Sequence, residues 1–245
     1  MAIALSDVRL WNNLFEGMRM DRRIQPISAA RLSAPLQNFC IGLAIVAVVT
    51  IICYFWLDQP LAFFLHRNVA DKTILVWLQQ LPVTLPLLSS FVLAWCGLWT
   101  LMDRPFSRIQ SVALTCSISF ISTSLINHQL KYAFGRTWPN TWIENNPSLI
   151  QNGVFGFNPF HGGPGFASFP SGHAAAICSV MTVLWWSYPS WRAIYVVCVA
   201  AVAVGSIGAN YHFLSDILSG IFVGTSVGYI TTKMSLNTAK SGFLT

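Results

Sequence analysis

The stretch LQNFCIGLAIVAVVTIICYFWL, Leu36 to Leu57, decides the fold. It runs for 22 residues without a charged side chain, and about 20 mostly apolar residues are what a helix needs to cross the hydrocarbon core of a bilayer. Charge-free runs recur from Thr73 to Met102, Ile109 to Leu130, Asn145 to Trp191 and Ala193 to Ser215. Over 245 residues only 9% are charged and 54% are hydrophobic, against roughly a quarter charged in an average soluble domain. The chain therefore reads as an integral membrane protein, with the bilayer as its partner and no nucleic acid expected.

Cutting these runs into helices predicts an all-α, six-helix membrane bundle over residues 36–245. The expected spans are Leu36–Leu57, Pro82–Leu101, Ile109–Leu130, His173–Tyr188, Trp191–Ala209 and Phe213–Thr232. Only the last part of the Asn145–Trp191 run reads as helix, because Gly, Pro and Asn fill it before Ser168. Residues 1–35 form a separate segment, in which Val8, Trp11, Phe15 and Met18 recur at helical spacing among Arg9, Arg19, Arg22 and Arg23. That pattern suits an amphipathic helix on the cytoplasmic membrane surface. No short apolar segment with a small-residue cleavage site precedes Leu36, so the first run is read as an anchor.

With the N-terminus inside, the inner segments carry ten basic residues, namely Arg9, Arg19, Arg22, Arg23, Arg31, Arg104, Arg108, Arg192, Lys233 and Lys240. The outer segments carry four, Arg67, Lys72, Lys131 and Arg136. The positive-inside rule then places both termini in the cytoplasm. All six cysteines fall inside expected spans, where they read as small packing residues, and no Cys or His spacing suggests a metal. No cofactor is expected.

Three clusters at span edges carry chemistry, and this topology puts all three on the outer face. Phe169-Pro170-Ser171-Gly172-His173 places a hydroxyl, free backbone N–H groups and an imidazole where a helix begins, a ready anion cradle. His212 and Asp216 lie at i and i+4 and so share one helix face. Lys131-Tyr132-Ala133-Phe134-Gly135-Arg136-Thr137-Trp138-Pro139 adds two cations on a face that is otherwise poor in positive charge. Such residues at helix ends can simply reach for lipid headgroups, but two together against the charge bias point to phosphate.

The order of these clusters resembles the type 2 phosphatidic acid phosphatase family, membrane lipid phosphatases whose core is related to vanadium haloperoxidases. Its pattern is K-x6-R-P, then P-S-G-H, then S-R-x5-H-x3-D. Lys131 and Pro139 match the first part, Pro170 to His173 the second, and His212 with Asp216 the third. The resemblance implies that His212 is the nucleophile, that Asp216 orients its ring and that His173 protonates the leaving oxygen. It further implies that Lys131, Ser171 and the Gly172 N–H hold the phosphate. Two arginines of the pattern are absent, since Trp138 and Ser206 stand in their places. Arg136 matches the first arginine of a G-R-x-R-P variant and is expected to act as the substitute phosphate clamp, with Asn210 as a further donor. His66, His128 and His161 have no motif support. The aromatic residues Trp138, Trp142, Phe155, Phe157, Phe160, Phe166 and Phe169 could line a lipid entry.

The expected function is hydrolysis of a lipid phosphomonoester or pyrophosphate through a phosphohistidine, without metal, at the periplasmic face of a bacterial inner membrane. A phosphotransferase that uses an alcohol acceptor is the alternative within the same chemistry. A non-catalytic protein that binds anionic lipid is the alternative outside it, though lipid binding alone does not require His173, His212 and Asp216 together.

Overall fold

A computed structural model of the chain describes residues 29–142 and 145–240, with side chains over 36–142 and 145–237. The amphipathic segment expected around Val8 to Met18 lies outside the described residues. The chain divides into units of 1–40 and 41–245. Of the first unit the described part is the start of helix α1 (Ala29–Ile52). The second unit is all-α among its described residues. A π-helical turn, Cys53–Leu57, leads into α2 (Asp58–Asn68), followed by α3 (Thr73–Gln79), a 3-10 turn at Leu81–Thr84 and α4 (Leu85–Leu101). Then come α5 (Arg108–Phe134), the short α6 (Leu149–Asn152), α7 (Gly172–Ser187), α8 (Arg192–Gly208) and α9 (Leu214–Lys240).

Among the described residues five segments are long and apolar enough to cross a membrane: Leu36–Asn68, Thr73–Leu101, Arg108–Phe134, Pro189–Gly208 and Leu214–Asn237. The protein is multi-pass, with five such segments where six spans were expected. The missing one is α7, whose 16 residues reach roughly 24 Å at 1.5 Å per residue, less than the ~30 Å hydrocarbon core. It nevertheless runs the length of α5, from Gly172 beside Lys131 at one end to Ser187, whose carbonyl accepts from Arg108 Nη2 at 2.7 Å, at the other, and it lies at the centre of the bundle. α7 packs against α5, α8 and α9, and Ala174 to Val180 are all buried. The first and second segments are also longer than expected, because Asp58 to Asn68 continue the first helix and Thr73 to Gln79 precede the Pro82 break in the second.

Local chemistry fixes the ends that matter. α5 begins with a capping box, in which Ser107 Oγ accepts from Gln110 N and Gln110 Oε1 accepts from Ser107 N. It ends at Gly135, in the left-handed region with φ +55°, where a side chain would run into the Asn158 carbonyl. This turn leaves Lys131 inside the helix and Arg136 beyond it. α7 and α9 meet backbone to backbone, since a Cβ at Gly220, Gly224 or Gly228 would strike the carbonyls of Ser171, Ala175 or Ser179. Small residues at every fourth position allow such approach within a membrane. The start of α7 and the start of α9 are thereby held side by side.

Candidate active site

α9 begins two residues after His212, and its first turn is held by carboxylates. Asp216 Oδ2 accepts from Phe213 N at 2.9 Å and from Ser168 Oγ at 2.6 Å. His212 Nδ1 lies 3.5 Å from the same oxygen. That is loose for a hydrogen bond, as is common before substrate tightens a site. With Nδ1 turned to Asp216, Nε2 is the nitrogen left to face outward. The His212 and Tyr211 backbone N–H groups both donate to the Ser206 carbonyl, at 3.1 and 2.9 Å, which fixes the turn after α8. Burial pushes the His212 pKa below its ordinary value, although the nearby Asp216 opposes the shift. The ring is therefore neutral near pH 7, the form that leaves one ring nitrogen with a free lone pair.

Behind Asp216 sits Arg136, wholly buried. Its Nη1 donates to Asp216 Oδ1 and to Ser215 Oγ, and its Nη2 donates to Asp58 Oδ2 at 2.7 Å. Asp58 Oδ1 also accepts from Ser215 N at 3.1 Å, so a carboxylate from α2 caps α9 from outside. The rings of Tyr54, Phe155, Phe157 and Phe213 surround the guanidinium at 4.3 to 5.4 Å. Without water a charge survives only if it is paired. The order Asp58, Arg136, Asp216, His212 is a continuous chain of such pairings.

In front of His212 opens a cavity of ≈ 420 Å³. Lys131, Gly172, His173, Trp138, Tyr211 and His212 line its polar end, while Phe120, Ala176, Pro82 and Pro86 line the rest. Phe120 lies 11 residues before Lys131 on α5, about 16 Å along the helix, so the cavity extends from the charged end toward the apolar middle of the bundle. The His173 and His212 ring centres are 6.1 Å apart. A Cβ at Gly172 would sit 3.6 Å from Lys131 Nζ, which places the ammonium beside the first turn of α7. There Ser171 takes the N–H groups of Ala174 and Ala175. Those of Gly172 and His173 remain for a ligand.

The structure thus brings together His173, His212, Asp216, Lys131 and Gly172, and it departs from expectation at two residues. Arg136 does not line the cavity. Its two terminal nitrogens are committed to Asp216 and Asp58, away from the cavity where a phosphate clamp was expected. Ser171 is likewise fully buried and outside the cavity lining, with its hydroxyl serving as the N-cap of α7. Asn210 is turned away as well, donating to the Ala62 carbonyl at 2.8 Å. His161 packs edge-on against Phe166. Phe155 and Phe157, considered for a lipid entry, enclose Arg136.

Sequence reasoning missed Asp58, Ser168 and Tyr211. Asp58 alone left a trace, as the first charge after the Leu36–Leu57 run. Asn127, one turn before Lys131, was missed too; its amide donates to the Pro170 carbonyl and steadies the approach to α7. Among the described residues no three His, Cys, Asp or Glu side chains converge as a metal site.

Comparison with known proteins agrees with this geometry. The chain is 26% identical over 124 residues to a lipid A 1-phosphatase of Rhizobium etli, covering 51% of this chain and 49% of that protein. It is 26% identical over 111 residues to a lipid A 1-phosphatase of Rhizobium johnstonii, covering 45% and 43%. The chain thus spans about half the length of these relatives. In fold it is similar to the crystal structure of a transmembrane PAP2-type phosphatidylglycerolphosphate phosphatase from Bacillus subtilis, with a TM-score of 0.55 at 17% identity over 84% of this chain and 97% of that one. The family model of the PAP2 superfamily matches residues 112–240, which hold Lys131, His173, His212 and Asp216. This chain belongs to the PAP2 superfamily.

Proposed function

We propose that the protein hydrolyses a membrane lipid phosphate through a phosphohistidine on His212. The observation that carries this reading is the position of His212, with one ring nitrogen turned to the buried Asp216 and the other facing a cavity shared with His173, Lys131 and the α7 N-terminus. His212 Nε2 attacks phosphorus while the bond to the leaving oxygen breaks, and His173 delivers a proton to that oxygen. Asp216 stabilises the positive charge that forms on the His212 ring. A water then attacks the phosphohistidine, His173 takes its proton, and inorganic phosphate leaves with His212 restored. Phosphoryl transfer needs mostly positioning and donors aimed at the equatorial oxygens, which Lys131 and the Gly172 and His173 N–H groups supply. The apolar extension toward Phe120 suits an acyl or prenyl tail. The excess of basic residues in the segments on the opposite side supports a site that opens to the periplasm.

The test is phosphate release by the purified chain in detergent, with chelator present, from a panel of lipid phosphates. His212→Ala should abolish release while the protein still elutes and melts as the parent does. Activity that survives this change removes the nucleophile from the scheme. Transfer of phosphate to an added alcohol in place of water would move the reading to the phosphotransferase. Binding of lipid without any turnover would move it to an anionic-lipid binder.

A further inference from the structure

We infer that Trp138 determines specificity at this site, restricting it to headgroups with a single phosphate and disfavouring the pyrophosphate. The inference rests on the phosphatase reading above. It begins from the fixed charges. Lys131 and Arg136 are balanced by Asp58 and Asp216, and Arg136 is turned to the rear with both terminal nitrogens on those carboxylates. Lys131 is the one Lys or Arg among the residues that line the cavity, and apart from His173 and His212 the polar side chains there, Ser124 and Tyr211, are neutral. A phosphomonoester brings at most two negative charges. Lys131 and the α7 N-terminus can meet them. A pyrophosphate brings a third, and an anion taken out of water without a partner is strongly disfavoured.

Trp138 stands where the family pattern noted in the sequence has an arginine, so this wall of the cavity carries no guanidinium. Its indole lines the cavity and is otherwise packed tight, 4% exposed. Nε1 donates to the Pro164 carbonyl at 2.8 Å, so the ring offers no donor to a second phosphate. Its face lies over His212, with ring centres 5.2 Å apart, and Lys131 Nζ sits 5.8 Å from the ring centre. The indole thus fills space next to both phosphate-handling residues while adding no charge. A fork of guanidinium donors there could grip a second phosphate group; a flat apolar ring cannot.

The experiment uses the full chain in detergent with dodecyl phosphate and dodecyl diphosphate, which share one tail, and reads initial phosphate release. The wild type should show a KM for the diphosphate about tenfold above that for the monophosphate, the scale of one unmatched charge. Trp138→Arg should lower the diphosphate KM by about tenfold more than it lowers the monophosphate KM. Trp138→Phe should keep the wild-type ratio. The different leaving groups cancel when variant and wild type are compared on one substrate. A wild-type KM for the diphosphate equal to or below that of the monophosphate overturns the inference and leaves the phosphatase reading standing. So does a folded Trp138→Arg with an unchanged ratio; if that variant fails to fold, the wild-type ratio decides. Lack of release from either lipid overturns both.

Discussion

Helices α7 and α9 both begin beside His212, yet their free N–H groups meet different anions. At α9 the anions belong to the protein: Asp216 takes Phe213 N, and Asp58 takes Ser215 N. At α7 a neutral hydroxyl caps one N–H, while those of Gly172 and His173 open on the cavity next to Lys131. The physics at the two ends is the same, unpaired donors and the positive pole of a helix dipole. What differs is whether a carboxylate or a substrate completes them. α9 is closed and holds His212 still, whereas α7 is left incomplete and open to an anion. The comparison predicts that changes at α9 weaken the fold and changes at α7 weaken substrate handling.

The largest effect should follow Arg136→Ala. It leaves Asp58 and Asp216 buried, close together and without a counter-ion, and breaking a buried ion pair costs about 3–5 kcal/mol. A marked fall in melting temperature in detergent is expected. Arg136→Lys should recover only part of it, because one ammonium cannot bridge two carboxylates as a planar fork does. A variant with unchanged melting temperature and a raised KM would instead restore Arg136 as a phosphate clamp and erase the distinction between the two ends.

Next in size is Lys131→Ala, the corresponding cut at α7. Removing one preorganised donor from a developing oxyanion costs about 10²–10³ in rate, so kcat/KM should drop on that scale. The melting temperature should hold, since Lys131 makes no ion pair among the described residues. A large loss of stability with unaltered kinetics would show that the cation serves the fold.

The sequence made the local half of this site legible and hid the long-range half. His212 with Asp216, and Gly172 with His173, are pairs whose geometry follows from helical spacing, so their positions could be read directly. Arg136 could not be assigned, because its partners lie 78 and 80 residues away and nothing local distinguishes a buried guanidinium from one facing a ligand. Ser171 was ambiguous for a different reason: a hydroxyl before a helix signals a cap and an anion site with the same residue. Of the six expected spans α7 is the one too short to stand among the five long apolar segments, and its burial was not legible because hydropathy does not separate a lipid-facing helix from one buried among other helices. Here the α7–α9 contact through Gly220, Gly224 and Gly228 takes the short helix into the core.

The smallest effect concerns the proton on His212, and it tests whether α9 acts on the nucleophile or only anchors it. Burial lowers the His212 pKa, Lys131 lowers it further, and Asp216 raises it by accepting from and attracting the charged ring. The net shift is downward, so the ring should titrate below the ordinary histidine value of about 6.5. NMR of histidine-labelled protein, with His212→Gln to assign the signal, should find it there. The acid limb of kcat/KM should then extend below the same value, because only the neutral ring attacks. Asp216→Asn removes the opposing influence and should move the His212 titration further toward acid, a readout that does not depend on residual activity. For stability the sign is the same: the unfolded chain binds the proton more readily, so the contribution of a neutral buried His212 is complete above about pH 6.5 and is lost as pH falls. A His212 signal that titrates above the ordinary value would mean that Asp216 outweighs burial. His212 would then be protonated at neutral pH, and the attack would have to begin from another group.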